Sequence, residues 1–236
     1  MSAALRPWWG VGGASVVALW TSSGLYVGST SGLMGPKEPE SGGPLAEYVE
    51  SYLAYRKALF PYEQWQNWML TLALLGIGLL AAGLFVVPRD SRQAIPIRLG
   101  SLALAAGAVV AAVAQVAYLG AVEKVFAVSE IAYFDTGSLA TMVDAATRTD
   151  DYVENLGFLV MAAGLVMLAW PREAGDDATS GLRVANWALA IALTAAVMSS
   201  FTESVLAIPV LLVVGFAVAP AWILVAARKL DRSTPR

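Results

Sequence analysis

The stretch Trp68–Val87, WMLTLALLGIGLLAAGLFVV, runs for twenty residues without a charge. A helix needs about 20 mostly apolar residues to cross the hydrocarbon core of a bilayer. Asn67 precedes the stretch and Pro88-Arg89-Asp90 follow it, so polar groups bound it on both sides. Five more apolar runs lie near Trp8–Leu33, Ile97–Gly120, Leu156–Trp170, Val184–Ser200 and Val205–Ala227. The run at Leu156 is the shortest and takes Val153 or Asn155 at its start. None alternates in polarity as a membrane strand does. A helix also satisfies its backbone within lipid. The sequence therefore predicts an all-α, polytopic membrane protein: a single transmembrane domain over 1–236 with six membrane-spanning helices.

Composition agrees. The chain is 58% hydrophobic and 14% charged, against about 25% charged in soluble domains. It has no cysteine and no histidine, which removes thiolate chemistry, histidine ligation of metals and a histidine proton relay. No phosphate-binding loop, HExxH, GxSxG or CxxC motif occurs. Arg6 before an apolar run loosely fits a signal peptide, but no small-x-small cleavage site follows, so the segment reads as a retained first helix.

The segments between the runs alternate in charge. The N-terminus, Pro88–Pro96, Pro171–Leu182 and the C-terminal tail, counted with the adjoining helix ends, carry ten Lys/Arg and five acids. The other side carries five Lys/Arg and thirteen Asp/Glu. Basic residues flanking spans resist translocation. This predicts a plasma (inner) membrane protein with both termini cytoplasmic and two long acidic loops, Met34–Asn67 and Ala121–Glu154, outside. Arg228, Lys229 and Arg232 suit anionic headgroups.

The two long loops are expected to carry short amphipathic helices. Leu45, Tyr48, Tyr52, Tyr55 and Leu59 fall on one stripe, and Pro61 is expected to end that helix. A second stretch near Ser138–Tyr152 reads similarly, with Asp144 and Arg148 at pairing distance along a helix. The tyrosine stripe suits a partner protein, the outer leaflet or a cap on the bundle. In the first run, Gly24, Gly28 and Gly32 stack on one face, which permits a close helix contact. Such a face serves ordinary packing within the bundle as well as docking of a second subunit.

Two stretches invite alignment as a candidate internal repeat, 66–120 and 154–204. Asn67 matches Asn155, Pro88-Arg89-Asp90 matches Pro171-Arg172-Glu173, and Arg98 matches Arg183. Parallel repeats of this kind occur in transporters. Convergent composition explains the likeness equally, since the Asn-to-Pro spacing differs, 21 residues against 16.

Ionisable residues inside a bilayer usually mark function, and the centres of the six runs contain none. Gln115 is the most central strongly polar residue, and a hydrogen bond to a neighbouring helix accounts for it. Glu203 sits in the turn between the fifth and sixth runs, as a solvated carboxylate or a cation site. Asp150, Asp151 and Glu154 read as part of a solvated acidic face.

No catalytic residue is singled out, and no cofactor or metal is expected beyond bound lipid. The favoured function is a non-catalytic accessory or structural subunit of a larger membrane complex, with membrane lipids and other subunits or a second copy as partners and no nucleic acid. The alternative is a small-solute or ion transporter with a site between the second and fifth helices, drawing on Gln115, Asn67, Asn155 and Glu203. A lipid-acting enzyme using Asp150, Asp151 and Glu154 ranks third.

Overall fold

The computed structural model describes residues 7–31, 33–34, 36–39, 45–87, 91–128, 135–170, 177–202 and 207–233. Among them the protein is entirely helical. The elements are α1 (Pro7–Thr30), α2 (Leu45–Val86), α3 (Ser91–Val128), α4 (Thr136–Ala169), α5 (Asp177–Phe201) and α6 (Ala207–Val213). A π-helical segment, Val214–Val218, then joins α6 to α7 (Ala219–Ser233). Five helical stretches are long and apolar enough to cross a membrane, α6 to α7 counting as one. The chain is a multi-pass membrane protein. Helix α1, richer in glycine and serine, packs in the same bundle against α2 and α7.

Helix lengths correct the expectation of short loop helices. Helix α2 has 42 residues, α3 has 38 and α4 has 34. At 1.5 Å per residue they extend about 63, 57 and 51 Å, against a hydrocarbon core of about 30 Å. The apolar part of α2 begins at Trp68, so Leu45–Asn67 project past it at the end where α2 and α4 begin, here called the upper end. Pro61 does not stop the helix; it lies inside α2. Proline removes one backbone hydrogen bond, and tertiary packing here holds the helix through that loss. Phe60 meets Phe126 edge-on at 5.3 Å. Leu53 and Phe60 of α2 and Ala146 of α4 pack on a second apolar cluster of Tyr118, Leu119, Val122, Phe126 and Val143. Residues expected as loop are thus wound into an upper extension of the bundle. Asp135 caps α4, accepting from the Ser138 amide at 2.9 Å and its hydroxyl at 2.6 Å.

The main core lies lower, around Leu80, Leu84, Leu104, Met161, Leu165, Leu189, Trp222 and Ile223. Lipid tails are as apolar as leucine, so close packing rather than water exclusion draws such helices together. Glycines supply that closeness. A Cβ added at Gly107 would stand 2.5 Å from the Gly157 carbonyl oxygen, and one at Gly164 2.6 Å from the Leu104 nitrogen. Gly100 is equally tight against Gly164. On α2, Gly76 closes on Ser15, and Gly83 on Trp8 and Leu230. The pairs Gly76/Gly83, Gly100/Gly107 and Gly157/Gly164 are each seven residues apart, the repeat of a left-handed helix seam.

The expected glycine face on α1 behaves differently. Gly24 has nothing within 4 Å of a built Cβ, Gly28 is covered by Met34 of the same chain, and Gly32 lies outside the described residues. Pro209 and Pro220 flank the π segment that distorts the last helix.

Candidate functional site

The upper half of the bundle encloses a cavity of about 600 Å³, walled by α1 to α6, the π segment and the first residue of α7. Three of the polar residues singled out from sequence line it and are buried: Asn67 at 4% exposure, Gln115 at 2% and Asn155 at 7%. They come from α2, α3 and α4, and the matched pair Asn67 and Asn155 both face the same space. The Asn155 amide donates to the Ser200 hydroxyl at 3.3 Å. Glu203 lies outside the described residues.

Two charged residues of the wall, Arg56 and Glu63, were not anticipated. Arg56 and Glu63 of α2 are seven residues apart, hence on one face. The Arg56 Nη2 lies 3.3 Å from Glu63 Oε1 and 2.5 Å from the Tyr118 hydroxyl, which itself donates to Glu63 Oε2 at 2.9 Å. A longer contact joins Arg56 to the Thr147 hydroxyl at 3.5 Å. This network ties α2, α3 and α4 together in the upper part of the cavity wall.

From α4 come Asp150, Asp151 and Glu154. Asp150 and Glu154 are four residues apart and share a face. The Gln115 side chain reaches the Glu154 carboxyl. Asp150 Oδ1 and Arg56 Nε are buried with no hydrogen-bond partner among the described residues. Asn67 lines the same wall and is buried. Buried polar atoms are normally satisfied, so Asp150 Oδ1 and Arg56 Nε are atoms in the wall with bonding capacity left for a ligand. Among the described residues four carboxyl groups and one guanidinium line the cavity.

Asp150 and Glu154 are half-buried in the cavity wall, a departure from the solvated acidic face expected of them, whereas Asp151 borders the cavity but stays exposed as expected. The α4 helix starts at Thr136 and carries these residues down a continuous wall, so they sit beside Gln115 and below the Arg56 network. Asp144 and Arg148 do form the expected exposed pair, at 2.9 Å. The tyrosine stripe forms as well. Tyr48 stacks on Tyr52 at 6.1 Å, Tyr52 lies 6.4 Å from Tyr55, and Tyr55 turns to the cavity. The spacings Arg56/Glu63 and Asp150/Glu154 were the available signals. They were masked because a membrane-length limit was placed on helices that run well beyond it.

A site of this kind favours positive charge. In a cavity of reduced dielectric each uncompensated carboxylate acts more strongly than in water, and amide and hydroxyl oxygens add neutral acceptors. Among the described residues no three Asp or Glu side chains converge to hold a metal ion. The donors are instead spread along the wall.

The π segment also reaches the cavity, through Val214 and Gly215. Gly215 closes on the Ser23 side chain, and the Trp20 indole donates to the Phe216 carbonyl at 3.1 Å. Segments of this type recur at functional sites because one residue is inserted into the helical ladder.

What fold and site define is an all-helical multi-pass membrane protein with an acidic cavity inside its bundle. Compared with protein families, characterised proteins and solved structures, the chain matches none.

Proposed function

We propose that the protein is a small-solute transporter that takes a cationic solute into this cavity and passes it across the membrane. One observation carries the reading: among the described residues, four carboxyl groups and one guanidinium line a space walled by helices from the whole bundle. A structural scaffold has no need of such a space, since burial of charge is costly and must be offset. The positive-inside pattern of the loops supports a plasma membrane location with both termini cytoplasmic. The upper end, with its projecting helices and acidic segments, is then extracytoplasmic, and the cavity mouth faces that side.

Reconstituted vesicles test this. Concentration jumps of butylammonium chloride on a solid-supported membrane should give saturable, protein-dependent charge displacement, reduced by Glu154→Gln. Absence of any protein-dependent current would refute transport of such a cation. A role as an accessory subunit is placed second, supported by the open space beside Gly24 on α1.

A further inference from the structure

The cavity is graded along its length on α1, α2, α4 and α5, while the stretch from α6 to α7 adds only apolar lining. On α2 the lining passes from Arg56 and Glu63 through Gln66 and Asn67 to Leu70, Leu74 and Ile77. On α4 it passes from Asp150 and Glu154 to Phe158 and Met161. On α5 Ser199 and Ser200 line the top, and Ala196, Leu193 and Leu189 lie below. Helix α1 repeats the order, with Tyr26, Ser23 and Ser22 above Leu19. The α2 lining from Tyr55 to Ile77 covers about 33 Å of helix, of which Leu70 to Ile77 is about 10 Å. A volume of about 600 Å³ drawn out over that length is narrow and suits an elongated ligand. Inorganic cations would gain nothing from the lower section, and neutral lipids nothing from the upper one.

We infer that the ligand is an amphipathic organic cation, a primary ammonium on a hydrocarbon chain, bound head-up with its chain directed toward Leu74, Ile77 and Leu193. This rests on the cation-binding reading proposed above and names its ligand class. A primary ammonium has three donors. Asp150 Oδ1, without a partner among the described residues, and the buried Asn67 side chain stand in the upper section to receive them, with Glu154 beside Gln115. Gln66, Asn67 and Asn155 mark the level at which polar lining gives way to apolar lining.

The test uses the full chain in lipid nanodiscs, titrated calorimetrically with n-alkylamines from ethylamine to octylamine, with empty nanodiscs subtracted. Octanol and octanoate serve as matched chains with neutral and anionic heads. Transfer of one methylene from water favours binding about fourfold. Affinity should therefore rise about fourfold per methylene and level off once the apolar section is full. Octanoate should not bind, and octanol should bind far more weakly than octylamine. Asp150→Asn should weaken all amines by a similar factor without changing the slope. Ala196→Phe, which narrows the lower section, should bring the plateau to shorter chains; general partitioning into lipid would not respond to it. A flat series, with ethylamine as tight as octylamine, would overturn the amphiphile and leave the cation site standing. Equal binding of octanol and octylamine, or no saturable binding of any amine, would overturn both readings. The series on the unmodified protein decides the matter even if a variant fails to fold.

Discussion

Gly107 and Gly120 lie on the same helix, and replacing each by alanine should shift stability in opposite directions. Alanine is favoured over glycine inside a helix by about 1 kcal/mol. At Gly120 nothing lies within 4 Å of the added methyl, so Gly120→Ala should stabilise by up to that amount. At Gly107 the same methyl would stand 2.5 Å from the Gly157 oxygen and 2.6 Å from the Met161 nitrogen. Both are backbone atoms of α4, and no rotamer change can move them. Reaching ordinary contact at 3.4 Å requires α3 and α4 to part by about 1 Å. A gap of 0.5–1 Å forfeits roughly a quarter to a half of each dispersion contact. Because Gly100 and Gly164 close the same seam, the loss extends along the helix pair. Overpacking of this kind costs about 1–3 kcal/mol, which outweighs the propensity gain. The expected net effect is a loss of about 1–2 kcal/mol for Gly107→Ala and a difference of about 2–3 kcal/mol between the two variants. Thermal unfolding followed by circular dichroism in one mild detergent compares them directly. If Gly107→Ala unfolds at or above the temperature of Gly120→Ala, the backbone seam is not what holds α3 to α4.

Other substitutions probe the remaining polar contacts. Trp222, fully buried, donates its indole N–H to Asn186 Oδ1 at 2.6 Å, with Asn186 at 1% exposure. Asn186→Leu should cost about 1 kcal/mol, between the modest worth of such bonds in membrane proteins and the penalty for an orphaned donor, read as a lower unfolding temperature. Arg56→Gln removes the one cation among the described lining residues and should tighten butylammonium binding, whereas Glu154→Gln should weaken it. Each change should be on the order of tenfold, for unit charges ~10 Å apart at an effective dielectric near 20. Calorimetry that shows the same direction for both would contradict the electrostatic reading. Asp135 is held below the ordinary aspartate value by the hydroxyl and amide of Ser138. Its folded value is the lower one, so its contribution is complete above about pH 4. It is lost as pH falls through the folded value. Hydrogen-exchange protection at the first turn of α4, corrected for the intrinsic rate at each pH, should fall over that acidic range in the native protein and not in Asp135→Asn.

Much of the architecture was legible in the chain. Apolar runs of membrane length, free of charge, leave the backbone no choice but to bond within itself, which makes the bundle all-helical. Helix ends were not legible. Length alone suggested that α2 would start near Trp68, but the Tyr118–Phe126 cluster gives Leu53 and Phe60 a surface, and the helix persists through Pro61. Of the site, Asn67, Gln115 and Asn155 were visible as isolated polar residues among apolar neighbours. Arg56 and Glu63 were not, and Asp150 and Glu154 read as solvated, because residue type alone does not distinguish a carboxylate in a wet loop from one on a helix wall.

The glycines make the same point. Spacing by four on α1 drew attention to Gly24, Gly28 and Gly32, while the contacts that close the bundle use glycines spaced by seven on α2, α3 and α4. Composition and the length of the apolar runs, by themselves, determined that this protein lives in a membrane as packed helices. Only the tertiary structure decided which helix faces meet. A cavity is the space left between such faces. Its four carboxyl groups and one guanidinium are local in sequence but become a site only when α2, α3 and α4 stand side by side.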